Sequence, residues 1–570
     1  MTVAATRSRN EATAIGRRQK IASLLVLIAL GTISGCMWFL ATPPRRFFWF
    51  AWFAMIPVFI GLDRARNWRQ AALVSWVAGT VTSLGGFSWM ALLLERFAGL
   101  PRIAALGGLL LFCLYQGLTC LLFGLVAYRI RRHIDLPMTL VAAVVFVTFE
   151  WLVPLLFPWY LAITQAEHPG LIQVADLAGP LGISALLLVV NGVVYDLTKR
   201  GRRALKPAVI GALLIICALV YGRVRMRHFD ALMAGAPKLA VGIVQPNIAY
   251  NQKGELHPNF RIEQLQTLQE QSRRLEQQGA QLIVWSETSY PYWLPRGMRG
   301  DLPINDPRRV MSGFNVPVII GVNTYTRGGG EWNSAMLLDA QGAFTGTYDK
   351  MDLLAFGEAL PSWLDFKLVR KMIPRGFGEF SPGEAARTLP YVAPDGRHIP
   401  VGAIICYEDI LPQVLRKVGA LHPLLLVNLT NDAWYGAGLE PMEHLALAVF
   451  GSVEQRTSMV RAVNSGISTF IDPNGRLVQK TEAIDPLVNP RPATSMLVNV
   501  PLLEAGHTVF ARVGNLFAYL CVAFTLILLA STFRKVHIPA PTKTASRRSS
   551  RSGLKGRGFS RSVPSQQLGL

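Results

Sequence analysis

Charge is scarce in this chain. Only 16% of its 570 residues are Asp, Glu, Lys or Arg, against 51% hydrophobic, and mean hydropathy is positive at +0.32. A single cytosolic globule is excluded by that balance, and membrane is implied. Acid is scarcer still, at 35 residues against 57 Lys and Arg. Between Tyr221 and Phe510 the two signs balance at 27 each, which leaves 30 basic and 8 acidic residues in short loops and tails around apolar runs. Nucleic-acid binding needs a basic folded face, so no nucleic-acid partner is expected. Cysteine numbers six, and Cys36, Cys113, Cys120, Cys217 and Cys521 all lie in apolar runs, where a thiol behaves as a small hydrophobe. Cys406 alone sits in the polar part, without a partner for an intradomain disulfide. No His/Cys cluster has metal-ligand spacing, so neither a metal nor another cofactor is expected.

What the chain has in abundance is apolar runs of bilayer length. Residues 21–40 follow Arg7, Arg9, Arg17, Arg18 and Lys20, and no small-residue cleavage site closes the run, so it reads as a retained helix. Further candidate spans occupy 47–62, 71–94, 103–128, 137–159, 177–194 and 208–221. Basic residues gather on one side: Arg64, Arg66 and Arg69 after the second run, Arg129, Arg131 and Arg132 after the fourth, Lys199, Arg200, Arg202, Arg203 and Lys206 after the sixth. Arg223, Arg225 and Arg227 after the seventh run against the pattern. The asymmetry puts the amino terminus in the cytoplasm and, after seven crossings, residues from 222 on the far side. An eighth run, 513–533, returns the chain to a basic, Ser- and Gly-rich tail that reads as disordered. The expected division is a basic terminus at 1–20, a seven-span bundle at 21–221, a soluble domain at 222–510, an eighth span at 511–533 and a tail at 534–570. Glu150, in the fifth run, either marks a site inside the bundle or hydrogen-bonds a neighbour such as Gln116. Phe157-Pro158-Trp159-Tyr160 suits the headgroup level.

Residues 238–501 alternate strands and helices. Strands are expected at 239–245, 281–285 and 316–324, then a hairpin 335–339/344–348 about Ala340-Gln341-Gly342. Strands 401–405 and 423–429 follow, then a second hairpin, 463–471/476–480, about Asp472-Pro473-Asn474-Gly475, and a last strand at 494–500. Helices fit 258–278 and 441–462. Such mixing predicts a layered α/β domain.

Three strand ends carry reactive groups. Leu282-Ile283-Val284-Trp285-Ser286 ends on Glu287, Thr347-Tyr348-Asp349 on Lys350, and Val401-Gly402-Ala403-Ile404-Ile405 on Cys406-Tyr407-Glu408. A thiol of pKa about 8.5 attacks acyl carbon only as thiolate, so it requires a base or a cation beside it. A carboxylate and an ammonium from other strand ends meet that need. Separately, each has a plainer reading: Cys406 as an inert core residue, Glu287 and Lys350 as a solvated surface pair.

Together, Trp285-Ser286-Glu287, Tyr348-Asp349-Lys350 with Phe356-Gly357-Glu358, and Cys406-Tyr407-Glu408 resemble the Glu-Lys-Cys motifs of the nitrilase superfamily. Asn428-Leu429-Thr430-Asn431-Asp432-Ala433-Trp434-Tyr435-Gly436 is similar to the loop after the nucleophile strand in that group. Seven spans before the domain and one after narrow the resemblance to the membrane-embedded branch, the apolipoprotein N-acyltransferases. It covers nearly the whole chain. It implies a polytopic eight-span helical bundle carrying an αββα sandwich, in a bacterial inner membrane with the catalytic domain on the periplasmic side. It also implies transfer of an acyl chain from a phospholipid to the α-amine of a diacylglyceryl-modified apolipoprotein, by a chain acting as a monomer. On the matched motifs, Cys406 would be the nucleophile, Glu287 the base and Lys350 the oxyanion stabiliser, with Glu358, Tyr407 and Glu408 in support. Lys253-Gly254 stands where the family pattern has an aromatic residue, with Tyr250 nearby as a substitute.

Two other enzyme classes stay open on the residues alone. A membrane-anchored carbon-nitrogen amidase would use the same triad with water as acceptor. A papain-like hydrolase needs a His partner, and no local pattern singles out His398, His422 or His444. Residues 353–380 set Trp363, Phe366, Met372, Ile373 and Phe377 beside Lys367, Arg370, Lys371 and Arg375, a pattern suited to an interfacial lid or to a packed amphipathic helix.

Overall fold

Helices built on apolar sequence dominate the described residues up to 235. The structure, a computed structural model, describes residues 2–249, 258–355, 357–360 and 380–533, with side chains from residue 17 and, after the first gap, from 259. The lid candidates between 363 and 375 together with Phe377, the Tyr250 and Lys253-Gly254 positions, and the tail from 534 lie outside the described residues. Met1–Thr532 packs as one unit.

Helix Thr2–Ala41 runs straight through the boundary expected at residue 20. Asn67 caps helix Trp68–Gly86, its side chain accepting from the Gln70 N–H at 3.1 Å, and the chain then bends by 59° into Met90–Ala98. Helices Arg102–Gln116, Leu118–His133 and Met138–Leu152 follow. Helix Ala175–Arg200 breaks at Gly179, whose φ of +63° only glycine adopts freely and which precedes Pro180, a residue without an N–H. Helix Leu205–Gly235 continues past the boundary expected at 221. Apolar runs report depth in a bilayer, whereas a helix ends where its caps and breakers fall.

Three described helical stretches, Arg17–Ala41, Arg102–His133 and Ala175–Gly235, are long and apolar enough to cross a membrane, and the bent pair makes a fourth. Met138–Leu152 and Leu516–Ser531 are apolar but shorter. Eight uninterrupted spans are therefore not found among the described residues. The expected run 47–62 becomes a 3-10 helix, Phe48–Trp52, and a nine-residue helix, Ile56–Arg64, started by Pro57. Nine residues rise about 14 Å, half a hydrocarbon core.

Beyond residue 237 the central strands are buried on both faces, so they read as apolar runs, while the edge strands are partly exposed. The first sheet holds Lys238–Gln245 (β1), Leu282–Val284 (β2), Leu294–Pro295 (β3), Val318–Tyr325 (β4), Glu331–Leu338 (β5) and Phe344–Asp349 (β6). The second holds Thr388–Val392 (β7), His398–Ile405 (β8), Leu425–Thr430 (β9), Met459–Val463 (β10), Thr469–Ile471 (β11) and Leu477–Lys480 (β12). Thr494–Pro501 (β13) closes the first sheet antiparallel to β1, giving the order β13-β1-β2-β4-β5-β6 with β3 beside β4. The second sheet runs β12-β11-β10-β9-β8-β7.

Side chains of both sheets, among them Val241, Leu337, Val401 and Val427, meet in one core. Helix Pro258–Gln277 covers the first sheet through Leu265, Leu268 and Leu275. Helices Pro412–Gly419 and Glu440–Gln455 cover the second, and their apolar residues belong to the same cluster as Phe146, Trp159 and Leu188 of the apolar amino-terminal half. The helix expected over 441–462 stops at Gln455. Arg456 takes a left-handed φ of +53° there, and the chain turns into β10.

Candidate active site

Glu287, Lys350 and Cys406 lie three, one and one residues beyond β2, β6 and β8. The backbone around Glu287 is tight. Gly321 of β4 has no Cβ, and one added there would stand 2.3 Å from Ser286 O and 2.7 Å from Glu287 Cα. Glu287 Oε1 accepts from Asn333 Nδ2 at 2.7 Å and lies 3.4 Å from Lys350 Nζ. Glu358 meets the same two groups, with Lys350 Nζ at 2.8 Å and Asn333 Nδ2 donating at 2.9 Å, and takes a further bond from the Leu354 N–H. Lys350 is only 1% exposed. Burial pulls its pKa down, but Glu358 and Glu287 outweigh that and hold it well above the ordinary lysine value.

Cys406 opens a 3-10 helix, Cys406–Ile410, with φ of +55°, a left-handed conformation unusual for a side chain-bearing residue. Asn428 Nδ2 donates to its carbonyl at 2.9 Å and holds the turn. Burial pushes the thiol well above its usual pKa, Glu287 and Glu358 add to this, and Lys350 opposes them. The resting sulfur therefore keeps its proton at neutral pH, and attack on an acyl carbon requires a base to take it.

Behind the nucleophile, Glu408 accepts four bonds: from Ile405 N–H at 2.7 Å, Tyr348 Oη and Met351 N–H at 2.8 Å each, and Asp352 N–H at 3.1 Å. It thus ties the turn after β8 to the turn after β6, and burial raises its pKa to about 7. Tyr407 donates to Leu353 O at 3.0 Å and sets its ring 5.5 Å from Lys350 Nζ.

Cys406 lies on a narrow cleft. Its other wall comes from the amino-terminal half: Phe87 and Trp89 at the bend between two helices, and Phe157, Pro158 and Trp159. That aromatic loop is braced from below. Gln116 Nε2 donates to Phe157 O at 3.3 Å, and Glu150 Oε1 accepts from the Leu161 N–H at 2.6 Å. Both polar groups of the apolar runs thus hold the loop rather than each other.

A second charged cluster abuts the cleft. His444 Nε2 lies 2.8 Å from Asp409, which also pairs with Arg461 at 2.8 Å. Asp432, Glu440 and His444 bring ligand atoms within 4.8 Å of one another, as do the exposed His422, Glu504 and His507. Neither grouping is evident from spacing. Burial lowers the His444 pKa, but Asp409 overrides it and raises it to about 10, so both ring nitrogens are donors. A protonated imidazole cannot act as the base of a papain-like pair.

Residues 34–193 match the Apolipoprotein N-acyltransferase N-terminal domain, and residues 240–483 match Carbon-nitrogen hydrolase. An apolipoprotein N-acyltransferase of Geobacter metallireducens is 30% identical over 526 residues, 89% of this chain and 96% of that protein. The chain belongs to the apolipoprotein N-acyltransferase family. A further member, from Gloeobacter violaceus, is 30% identical over 90% of this chain and 94% of its own length. Among solved structures, a nitrilase-superfamily protein of Saccharomyces cerevisiae aligns with a TM-score of 0.33 and 14% identity, over 46% of this chain and 90% of that one.

Sequence reasoning in terms of this family missed Asn333, which joins the two carboxylates, and the aromatic wall at Phe87 and Trp89. Asn333 sits mid-strand in β5 with nothing unusual around it. Phe87 and Trp89 were absorbed into a span, although Gly85-Gly86 just before them is a helix-weakening signal.

Proposed function

We propose that this protein moves a fatty acyl chain from a membrane phospholipid, through a thioester on Cys406, to the α-amine of diacylglyceryl-cysteine at the start of bacterial lipoproteins. Cys406 Sγ attacks the ester carbonyl while Glu287 takes its proton. Lys350 faces the oxyanion of the tetrahedral intermediate. The C–O bond breaks, and the lysophospholipid alcohol leaves with the proton from Glu287. In the second half the acceptor amine attacks the thioester, Glu287 takes a proton from nitrogen, and the C–S bond breaks to give an amide and a free thiol. Glu358 fixes Lys350, while Tyr407 and Glu408 fix the turns that carry Lys350 and Cys406.

The observation that carries this reading is the cleft itself, where the thiol faces a wall of Phe87, Trp89 and Trp159 contributed by the apolar half. A soluble amide would need no such wall, so the carbon-nitrogen hydrolase alternative leaves it without a use. In this reading residues 21–221 and 511–533 form an eight-crossing anchor in the inner membrane. Residues 222–510 work on the periplasmic side, and the basic clusters after 62, 128 and 194 stay inside. One chain supplies both walls of the cleft, which supports action as a monomer.

Purified protein given phospholipid with labelled acyl chains should carry a hydroxylamine-labile label that Cys406→Ala abolishes and a diacylated lipopeptide discharges as an amide. Label retained in Cys406→Ala, or discharge to free fatty acid alone, would refute the proposal.

A further inference from the structure

Two carboxyl groups line the cleft beside Cys406 and take no part in the steps above. Glu440 and Glu443 lie in the first turn of helix Glu440–Gln455 and are 6% and 4% exposed. Glu443 Oε2 accepts from Trp89 Nε1 at 3.2 Å, while its Oε1 has no hydrogen-bond partner. Glu440 Oε1 stands 3.6 Å from His444 Nδ1, and its Oε2 is unpartnered. A buried carboxyl oxygen gains from a donor, so each can take one from a bound group.

The nearby cations answer them only in part: His444 and Arg461 bond Asp409, with His444 also 3.6 Å from Glu440, and Arg45, whose field reaches Glu443, donates to Thr42. Aromatic rings line the same cleft: Trp89 meets Tyr435 edge-on at 5.1 Å and Phe157 at 5.5 Å, and Phe87 meets Trp159 at 5.3 Å. Buried carboxyls in an aromatic-lined cleft are the chemistry that binds an organic ammonium. Burial holds both carboxyls well above the ordinary range, and a cation beside them favours the charged form.

Resting on the acyltransferase reading, we propose that Glu440 and Glu443 form a receptor for a primary alkylammonium, seating a substrate's amine beside Cys406. Two amines fit this chemistry, the headgroup of an ethanolamine phospholipid and the α-amine of the acceptor cysteine.

The test uses the full-length protein with Glu440→Gln, Glu443→Gln and the double variant, which keep side-chain shape, with melting curves to confirm folding. Dodecylammonium should protect Cys406 from iodoacetamide in the parent protein at concentrations where dodecanol does not. The double variant should need about tenfold more or lose protection. No protection in the parent, or equal protection in the double variant, overturns the pocket whether or not acyl transfer occurs. Absence of acyl label from phospholipid with ammonium protection intact would instead overturn the acyltransferase reading alone. Two kinetic arms then name the amine. A double-variant loss of about tenfold in Cys406 acylation by phosphatidylethanolamine, with phosphatidylglycerol unaffected, assigns the lipid headgroup. A matching rise in KM for a diacylated lipopeptide, with acylation unchanged, assigns the acceptor. Equal losses with every lipid and with the lipopeptide would mark the carboxyls as structural and refute the proposal.

Discussion

Replacing Lys350 with Met tests the electrostatics of the site most directly. Its Nζ lies 3.4 Å from one Glu287 oxygen and 2.8 Å from Glu358, and all three side chains are largely withdrawn from water. At an effective dielectric of about 20, those separations correspond to roughly 5 and 6 kcal/mol of attraction before desolvation is subtracted. Without the cation, nothing offsets the repulsion between the Glu287 and Glu358 carboxylates, and the base loses the charge that positions it. Loss of one oxyanion donor costs a further factor of about 10² to 10³. Acylation of Cys406 by labelled phospholipid, followed in a single turnover, should therefore fall at least about 10³-fold in Lys350→Met. The double variant Lys350→Met/Glu358→Gln, relieved of the surplus carboxylate, should regain melting temperature without regaining rate. Acylation by the single variant within tenfold of the parent, at matched folding, would refute the assignment of charge in this site.

Three further outcomes follow from the geometry. Gly321→Ala should cut acylation at least tenfold while most of the fold survives, because its Cβ collides with the backbone that carries Glu287; unchanged single-turnover rates would contradict this. Asn428→Ala should slow acylation by about tenfold, the equivalent of one buried hydrogen bond, with lipid affinity unchanged, since its amide steadies the left-handed turn at Cys406; a KM effect without a kcat effect would count against it. The His444 pKa is raised from 6.5 to about 10, so its pairing stabilises the fold fully below pH 6.5 and is lost as pH rises towards 10; melting temperature should drop across that window, and His444→Gln should flatten the slope.

Much of the sandwich was legible because strands buried on both faces leave unbroken apolar runs. Runs at 239–245, 316–324 and 401–405 fall on β1, β4 and β8. Short or edge elements escaped: β3 has two residues, β7 contains Pro390, and the helix Pro412–Gly419 has only eight residues. The reading of 441–462 as one helix failed because an arginine, not a glycine, adopts the left-handed stop at 456. Among the candidate residues, Glu287, Lys350 and Glu358 do lie within contact of one another, and local sequence marked each of them at a strand end or in a motif. Asn333, Glu440 and Glu443 carry no such mark, since their significance comes only from which distant elements they face. Hydropathy does not register a bend or a proline start, so the apolar runs and the helix ends differ.

One core cluster runs without interruption from the helices of the apolar half, through Trp159 and Leu188, into the side chains beneath β8, β9 and β10. No seam separates anchor from enzyme. Cutting the chain at residue 237 to obtain a soluble hydrolase would strip the cover from the outer face of Glu440–Gln455 and leave Leu445, Val449 and Val453 against water. Detergent that loosens the helices should by the same logic loosen the reactive thiol, so solubilisation conditions become a variable of the chemistry and not merely of the yield.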